Sequence, residues 1–526
     1  MTKVQREEGG PVEGVAQLLT EAAARWADET AITETGTGAT LTWRELDEVA
    51  YAHAGRLVEA GVGPGDRVVL RLPTSADFAV TLFGTLRAGA IAVPLSPQAP
   101  APELHRLLAH SGARFVVQRG DIELPEGVTG LPPRGGSEGG AADVARGGED
   151  VAMISYTSGT TGPPRGVMLS HRALLANLEQ LSRVEGTLVH DDRVLVTIPL
   201  FHVYGLGPGL LQATSVGASL VLSERFEAAR TLRDCAEYAV TSIAGVPTMY
   251  AEFAALGGEE LARGLSTVRM LTSGAAPLHP RVLAAIREAT GHDVYEGYGL
   301  TECAPVVTST LVTGYPKPGS VGRPLPGIEL RLVDSDGAAA DVPLDPEDVD
   351  DVFESGGDTG LVSIRGANLF SGYWPDGSHG PDAEGWFRTG DVGYLDSDGD
   401  LHLVDRANDL IIVNGFNVFP REVEDVIGQL DGVAEVAVVG VVDERSGEAV
   451  KAVVVPAEGA VLSEQQVTER CAARLAGYKV PHLVEFAETL PHSATGKLRR
   501  PTLRNSTLHN STLRRPGCGG PGSTDS

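Results

Sequence analysis

Residues 156–166 read YTSGTTGPPRG. Glycines let successive backbone amides converge on one point, and the hydroxyls of Thr157, Ser158, Thr160 and Thr161 add donors suited to phosphate oxygens. Gly159 and Gly162 supply the backbone freedom, and an apolar stretch, AMISY, leads into the loop. The loop lacks the Gly-Lys-Ser/Thr ending of the P-loop and carries Arg165 in place of any lysine. A phosphate-holding loop of this kind requires a cation from elsewhere in the chain to meet the reacting phosphate.

Four further stretches carry chemistry in order along the chain: YEGYGLTE (295–302), GWFRTGD (385–391), DRANDLIIVNGFNVFPREVE (405–424) and PHSATGKLRR (491–500). With the opening loop, they resemble the signature blocks of the adenylate-forming enzymes, a superfamily of acyl-CoA synthetases, peptide-synthetase adenylation domains and luciferases. The resemblance runs from about residue 12 to 502 and is strongest to bacterial fatty-acyl-CoA or fatty-acyl-carrier-protein ligases. It implies that a carboxylate attacks the α-phosphorus of ATP, expels pyrophosphate and forms an acyl-adenylate, which a thiol then attacks. The attacking carboxylate is already ionised at neutral pH, so the difficulty is bringing two anions together rather than removing a proton.

The resemblance also implies roles. Thr157 to Gly162 hold the β- and γ-phosphates. Thr301 contacts the α-phosphate, and Glu302 binds Mg²⁺. Asp391 accepts the ribose hydroxyls, assisted by Arg406. Gly274, Ala275, Ala276 and Pro277, with Tyr298, sandwich the adenine, and Glu296, Gly297 and Gly299 belong to the nucleotide site. Lys497 is the missing lysine, brought in by a second domain; a compact charge on a flexible stem suits it. Where the family carries a loop lysine this chain has Arg165, and at the hinge it has Asn408 where Asp or Lys is usual.

The acyl pocket is expected along IPLFHVYGL, with His202, Val203, Tyr204 and Gly205, together with Gly274, Gly299 and Cys303. The stretch holds no acid to pair an α-ammonium, which argues against an amino acid. Gly299 is expected to leave the channel open. The expected substrate is an aliphatic, medium- or long-chain acid, with an aryl acid as the alternative. The acceptor is CoA or a separate phosphopantetheinylated acyl carrier protein, including one in secondary-metabolite biosynthesis. Arg499, Arg500, Arg504 and Lys479 are candidates for a positive mouth facing either, or for simple solvation of the surface. A luciferase-type oxygenase and an inactive acyl-binding member are the readings from other classes; intact Lys497, Glu302 and Asp391 argue against the second.

The elements that must position these residues follow an α/β rhythm. LTWRELDEVAYAHAGRLVEAGV (41–62) opens on a Thr42/Glu45 capping box and reads as a helix. Strands are expected at 66–72, 194–199, 218–223 and 268–274, with a helix over 76–88 and a strand at AIAVPL. The expected fold is a large N-terminal domain (1–404) of parallel-rich sheets covered by helices plus a small β-structure. A hinge (405–410), a smaller mobile α+β domain (411–502) and a disordered tail (503–526) follow. Residues 334–360 are acidic and rich in Gly and Pro, and read as a surface loop.

Bulk properties narrow the partners. The 526 residues carry a formal net charge of −28, which disfavours nucleic acid and anionic membranes and requires any ATP site to be locally positive. Cys235, Cys303, Cys471 and Cys518 have no metal-ligand spacing and read as reduced thiols of a cytoplasmic protein. The N-terminus is polar, without a signal peptide, and the most apolar run (78–95) contains Arg87 and Pro94. It therefore reads as a buried helix and strand, with no membrane span.

Overall fold

The computed structural model describes residues 13–120, 123–134, 144–157, 165–333, 359–406, 411–413, 416–443, 447–475, 477–492 and 498–504. Within these, helix initiation follows local chemistry. The Thr42 hydroxyl accepts from the Glu45 N–H at 3.2 Å and the Thr42 N–H donates to the Glu45 carboxylate at 2.8 Å. The helix Trp43–Glu59 begins there. Ser463 and Gln466 form the same reciprocal pair ahead of the helix Glu464–Ala472.

Among the described residues the strands form four sheets. One six-stranded sheet has the order 129–131, 115–118, 67–71, 91–94, 151–157, 165–170. Its first five strands are parallel; only the last, Arg165–Ser170, runs antiparallel to Val151–Thr157. A helical pattern is readable in the sequence from about Ser170, and the strand before it is an addition the sequence reading did not make. The helix His171–Ser182 does follow, with the Ser170 hydroxyl as its cap, but residues 165–170 first return along the sheet. A nine-stranded sheet is parallel from Val294–Gly299 through Thr30–Glu34 and antiparallel at both margins.

The apolar run noted above becomes the helix Ala76–Arg87, every residue of which is buried, followed by the strand Ile91–Pro94. Its core cluster draws side chains from both large sheets. Arg87 tolerates burial because it ion-pairs with Asp47 and donates to the Asp47 carbonyl at 3.0 Å and the Thr20 hydroxyl at 2.7 Å. Among the described residues, no helix is long and apolar enough to cross a membrane. Cys235, Cys303 and Cys471 are buried free thiols.

A third, antiparallel sheet comprises Glu329–Val333, Gly360–Arg365, Trp386–Leu395 and Leu401–Arg406. The fourth sheet lies beyond residue 410, with the helices Pro420–Gly428 and Glu464–Ala472 packed on its core. Phe419 packs with Tyr394 and Val404, and Arg421 donates to the Leu403 carbonyl at 2.9 Å. These contacts join the C-terminal unit to the third sheet. The 334–360 segment lies almost wholly outside the described residues, as do Asn408, Cys518 and the 505–526 tail.

Candidate active site

The strands Arg193–Val196, Ser242–Gly245, Met270–Ser273 and Val294–Gly299 are parallel neighbours, so their carboxyl ends share one edge. The segments that follow them hold His202 to Gly205, Gly274 to Pro277, and Gly299 to Cys303. Side chains placed at such an edge converge outside the sheet, where ligands of open α/β sheets bind.

Glycines let these segments close on one another. A Cβ on Gly205 would lie 2.6 Å from the Pro199 carbonyl oxygen, and one on Gly274 would lie 3.2 Å from the Tyr204 ring. Tyr204 thus lies over Gly274, with its hydroxyl 3.4 Å from the Thr272 hydroxyl. Burial pushes the Tyr204 phenol up to about 12, so it is neutral. Tyr250, fully buried, donates to the Thr272 carbonyl at 2.7 Å behind it. Gly205–Leu211 forms a turn of π-helix, a wider helix often found beside functional sites. His202 Nδ1 accepts from the Tyr204 N–H at 3.2 Å, which puts the proton of the neutral ring on Nε2. Val203 is buried.

Gly299 is glycine for a reason the sequence reading did not include. A Cβ there would lie 2.0 Å from the Pro305 carbonyl oxygen. The Pro305 backbone approaches too closely for a side chain in this conformation, so the glycine serves that approach. Cys303 is fully buried with Tyr298, Val307 and Leu325, and burial holds its thiol well above the ordinary value.

The phosphate loop is described at its two ends. Thr157 and Arg165 are paired across the hairpin, while Ser158, Gly159, Thr160, Thr161 and Gly162 lie outside the described residues. The Arg165 guanidinium lies over the Tyr373 ring, 5.3 Å from its centroid. The Tyr373 hydroxyl donates to the Glu302 carboxylate at 2.6 Å. Thr301 and Glu302 stand in a short 3-10 turn, and the Phe370 N–H donates to the Glu302 carbonyl at 2.9 Å. The structure therefore brings Arg165 and Glu302 together through a residue the sequence reading missed. No spacing could have signalled Tyr373, because it reaches the site only through strand pairing.

Tyr298 donates to Asp391 Oδ2 at 2.6 Å, both side chains being buried. Burial and the Asp391 charge hold the phenol well above its ordinary value, so it stays a donor. The strand register places Asp391 directly opposite Arg406, whose side chain is not described. Gly297 pairs with Ser309 on the adjoining strand. Lys497 lies outside the described residues.

Glu296 turns inward. Its carboxyl accepts from the Leu278 N–H at 3.0 Å and so braces the loop carrying Gly274 to Pro277. Burial pushes it up to about 7. The folded state then holds a proton that the unfolded state releases near pH 4.5. This group's contribution to stability is full below pH 4.5 and is lost as pH rises towards 7, by about 3 kcal/mol in all. Glu296→Gln retains the acceptor without the titration. The stability of wild type relative to this variant, from denaturant melts, is expected to fall between pH 5 and 7 and then level off.

Two of the four basic residues expected at an open mouth are committed elsewhere. Lys479 is buried against Glu422 at 2.7 Å, and Arg500 pairs with Glu424 at 2.7 Å. They tie the helix Pro420–Gly428 into its own domain.

The description "AMP-binding enzyme" matches residues 19–374, and "AMP-binding enzyme C-terminal domain" matches residues 422–497. The chain belongs to the AMP-binding enzymes. These adenylate-forming enzymes use ATP, and this chain falls in their acyl-CoA ligase family. It is 34% identical to a long-chain-fatty-acid–CoA ligase of Escherichia coli O157:H7, over 93% of each chain. It is 37% identical to a feruloyl-CoA synthase of Amycolatopsis sp, over 88% of this chain and 93% of that one. The crystal structure of ATP-bound MatB from Rhodopseudomonas palustris superposes with a TM-score of 0.83 at 32% identity, covering 93% of this chain and 98% of that one. That AMP-binding fold, with a large N-terminal and a small C-terminal domain, is the α/β architecture read from the sequence.

Proposed function

We propose that this AMP-binding enzyme joins an aliphatic, medium- or long-chain carboxylic acid to the thiol of CoA through an acyl-adenylate. The observation that carries this reading is the pocket wall. Residues 198–206 and 270–277 contain no acid, and they lay the Tyr204 ring over Gly274 with Val203 buried beside it in sequence. Such a surface offers an α-ammonium no partner and suits an apolar acyl group. The fatty-acid ligases among its relatives support the same class.

In this reading the core (1–404) binds ATP and acid, residues 405–410 act as the hinge, and 411–502 form a mobile domain. Thr157 to Gly162 cradle the β- and γ-phosphates, and Thr301 donates to the α-phosphate. Asp391, oriented by Tyr298 and helped by Arg406, accepts the ribose hydroxyls. Gly274 to Pro277 and Gly297 to Gly299 border the adenine, with Glu296 supporting the loop from below. His202 lies near the acid's carboxylate. Lys497 swings in to offset the charge where carboxylate and α-phosphate meet.

The site suits Mg²⁺: the Glu302 carboxylate, oriented by the Tyr373 phenol, offers the hard oxygen donor such a cation takes. Glu302 would hold it, and the ion would neutralise charge on the phosphate oxygens. The acceptor is CoA; a separate phosphopantetheinylated carrier protein presents the same thiol arm.

An aryl acid is a second reading, favoured by the Tyr204 ring over Gly274 and by the feruloyl-CoA synthase relative. The test is thioester formation from octanoate, palmitate, ferulate and malonate with ATP, Mg²⁺ and CoA, read by mass. A fatty acid is expected to exceed ferulate in kcat/KM by at least about tenfold, since successive buried methylenes each add to binding. The reverse order would replace the aliphatic reading with the aryl one.

A further inference from the structure

Residues 370–374 run beside the strand that leaves the phosphate loop. The Trp374 N–H donates to the Gly166 carbonyl at 2.7 Å, the Met168 N–H to the Gly372 carbonyl at 3.1 Å and the Ser371 N–H to the Met168 carbonyl at 2.9 Å. Tyr373 is thereby registered opposite Val167. The same segment grips Glu302 twice, through the Phe370 N–H and the Tyr373 hydroxyl. Among the described residues, Tyr373 supplies the one hydrogen bond that carboxylate accepts. Glycine at 372 permits the turn: its φ is +90°, and a Cβ would lie 2.0 Å from the Gly377 carbonyl oxygen.

We propose that Tyr373 is a positioning residue for the metal, holding one oxygen of Glu302 so that the other faces the cation bound to the ATP phosphates, and that Arg165 fixes Tyr373 by stacking on its ring. This rests on the reading that Glu302 takes the Mg²⁺. A planar guanidinium lies against an aromatic face better than an ammonium does, so arginine at 165, the first residue of its strand, fits a contact with Tyr373. A carboxylate locked in one rotamer loses less freedom when it takes a cation, so the lock favours binding of the metal-loaded nucleotide.

The test is calorimetric binding of α,β-methylene ATP across a Mg²⁺ titration, which needs no turnover. Tyr373→Phe keeps the ring and removes the hydrogen bond. It is expected to raise the Mg²⁺ concentration at half-maximal nucleotide binding about tenfold, with Mg²⁺-free nucleotide affinity unchanged. Glu302→Gln is expected to raise it further, and adding Tyr373→Phe to Glu302→Gln is expected to change nothing more, because the two act through one contact. If Glu302→Gln shifts the Mg²⁺ midpoint and Tyr373→Phe does not, the positioning role is overturned while the metal assignment stands. Equal loss by Tyr373→Phe with and without Mg²⁺ would mark a structural role and also overturn it. If neither variant shifts the midpoint, the metal assignment itself fails, and the inference fails with it.

Discussion

Lys497→Ala is expected to cut acid-dependent pyrophosphate release by about 10²–10³-fold, while thioester formation from supplied acyl-AMP and CoA stays within about threefold of wild type. The first half-reaction brings a carboxylate onto an α-phosphate that is itself anionic. Negative charge accumulates at one point as the new bond forms, and a positive charge held there lowers the barrier directly. In the second half-reaction the nucleophile is a thiol and the leaving group is AMP, so the demand for that cation falls away. Arg165, at the end of the proposed phosphate loop, is engaged with the Tyr373 ring. Lys497, in the C-terminal domain match at 422–497, is the residue proposed to fill the gap. Equal loss of both half-reactions would mean that it acts on the fold or on both steps, and would remove the role assigned to it.

Asp391→Asn is expected to lower kcat/KM for ATP about 100-fold, from two weakened charge-assisted hydrogen bonds. KM for the acid should stay within about twofold, because the acyl wall is a separate surface. The asparagine carbonyl can still accept from Tyr298, which bonds Asp391 Oδ2 at 2.6 Å in the wild type, so the buried phenol keeps a partner and the fold is not at stake. Tyr298→Phe probes the same site from behind: it frees the carboxylate's orientation without removing its charge, and a smaller loss is expected. Initial rates at varied ATP and fixed saturating acid measure both. An unchanged ATP dependence in Asp391→Asn would place the ribose elsewhere.

Local chemistry in the sequence predicted much of this fold. The Thr42 capping box starts its helix because the partners sit three residues apart and need nothing distant. The apolar run at 78–95 folded as a buried helix and strand because Arg87 could find Asp47 and Thr20. What escaped the sequence depended on approach between distant segments. Gly299 lies against the Pro305 carbonyl more closely than a side chain allows, and no pattern of residue types reports where a backbone carbonyl will lie. Tyr373 stands 71 residues from Glu302 and meets it only because residues 370–374 register on the strand Arg165–Ser170. That strand was itself missed, since its pairing runs across a Gly/Pro-rich loop. Lys479 and Arg500 read as surface charge until Glu422 and Glu424 claimed them. Lys497, Asn408 and the body of the phosphate loop remain assigned from the family's motifs.

Activation through an acyl-adenylate is the central step, and ATP–pyrophosphate exchange measured without any thiol tests that step alone. With Mg²⁺ and a fatty acid present, labelled pyrophosphate is expected to enter ATP, the exchange is expected to vanish when the acid is omitted, and AMP is expected to accumulate only when CoA is added. Formation of ADP, or no acid-dependent exchange with any acid of the panel, would contradict the account.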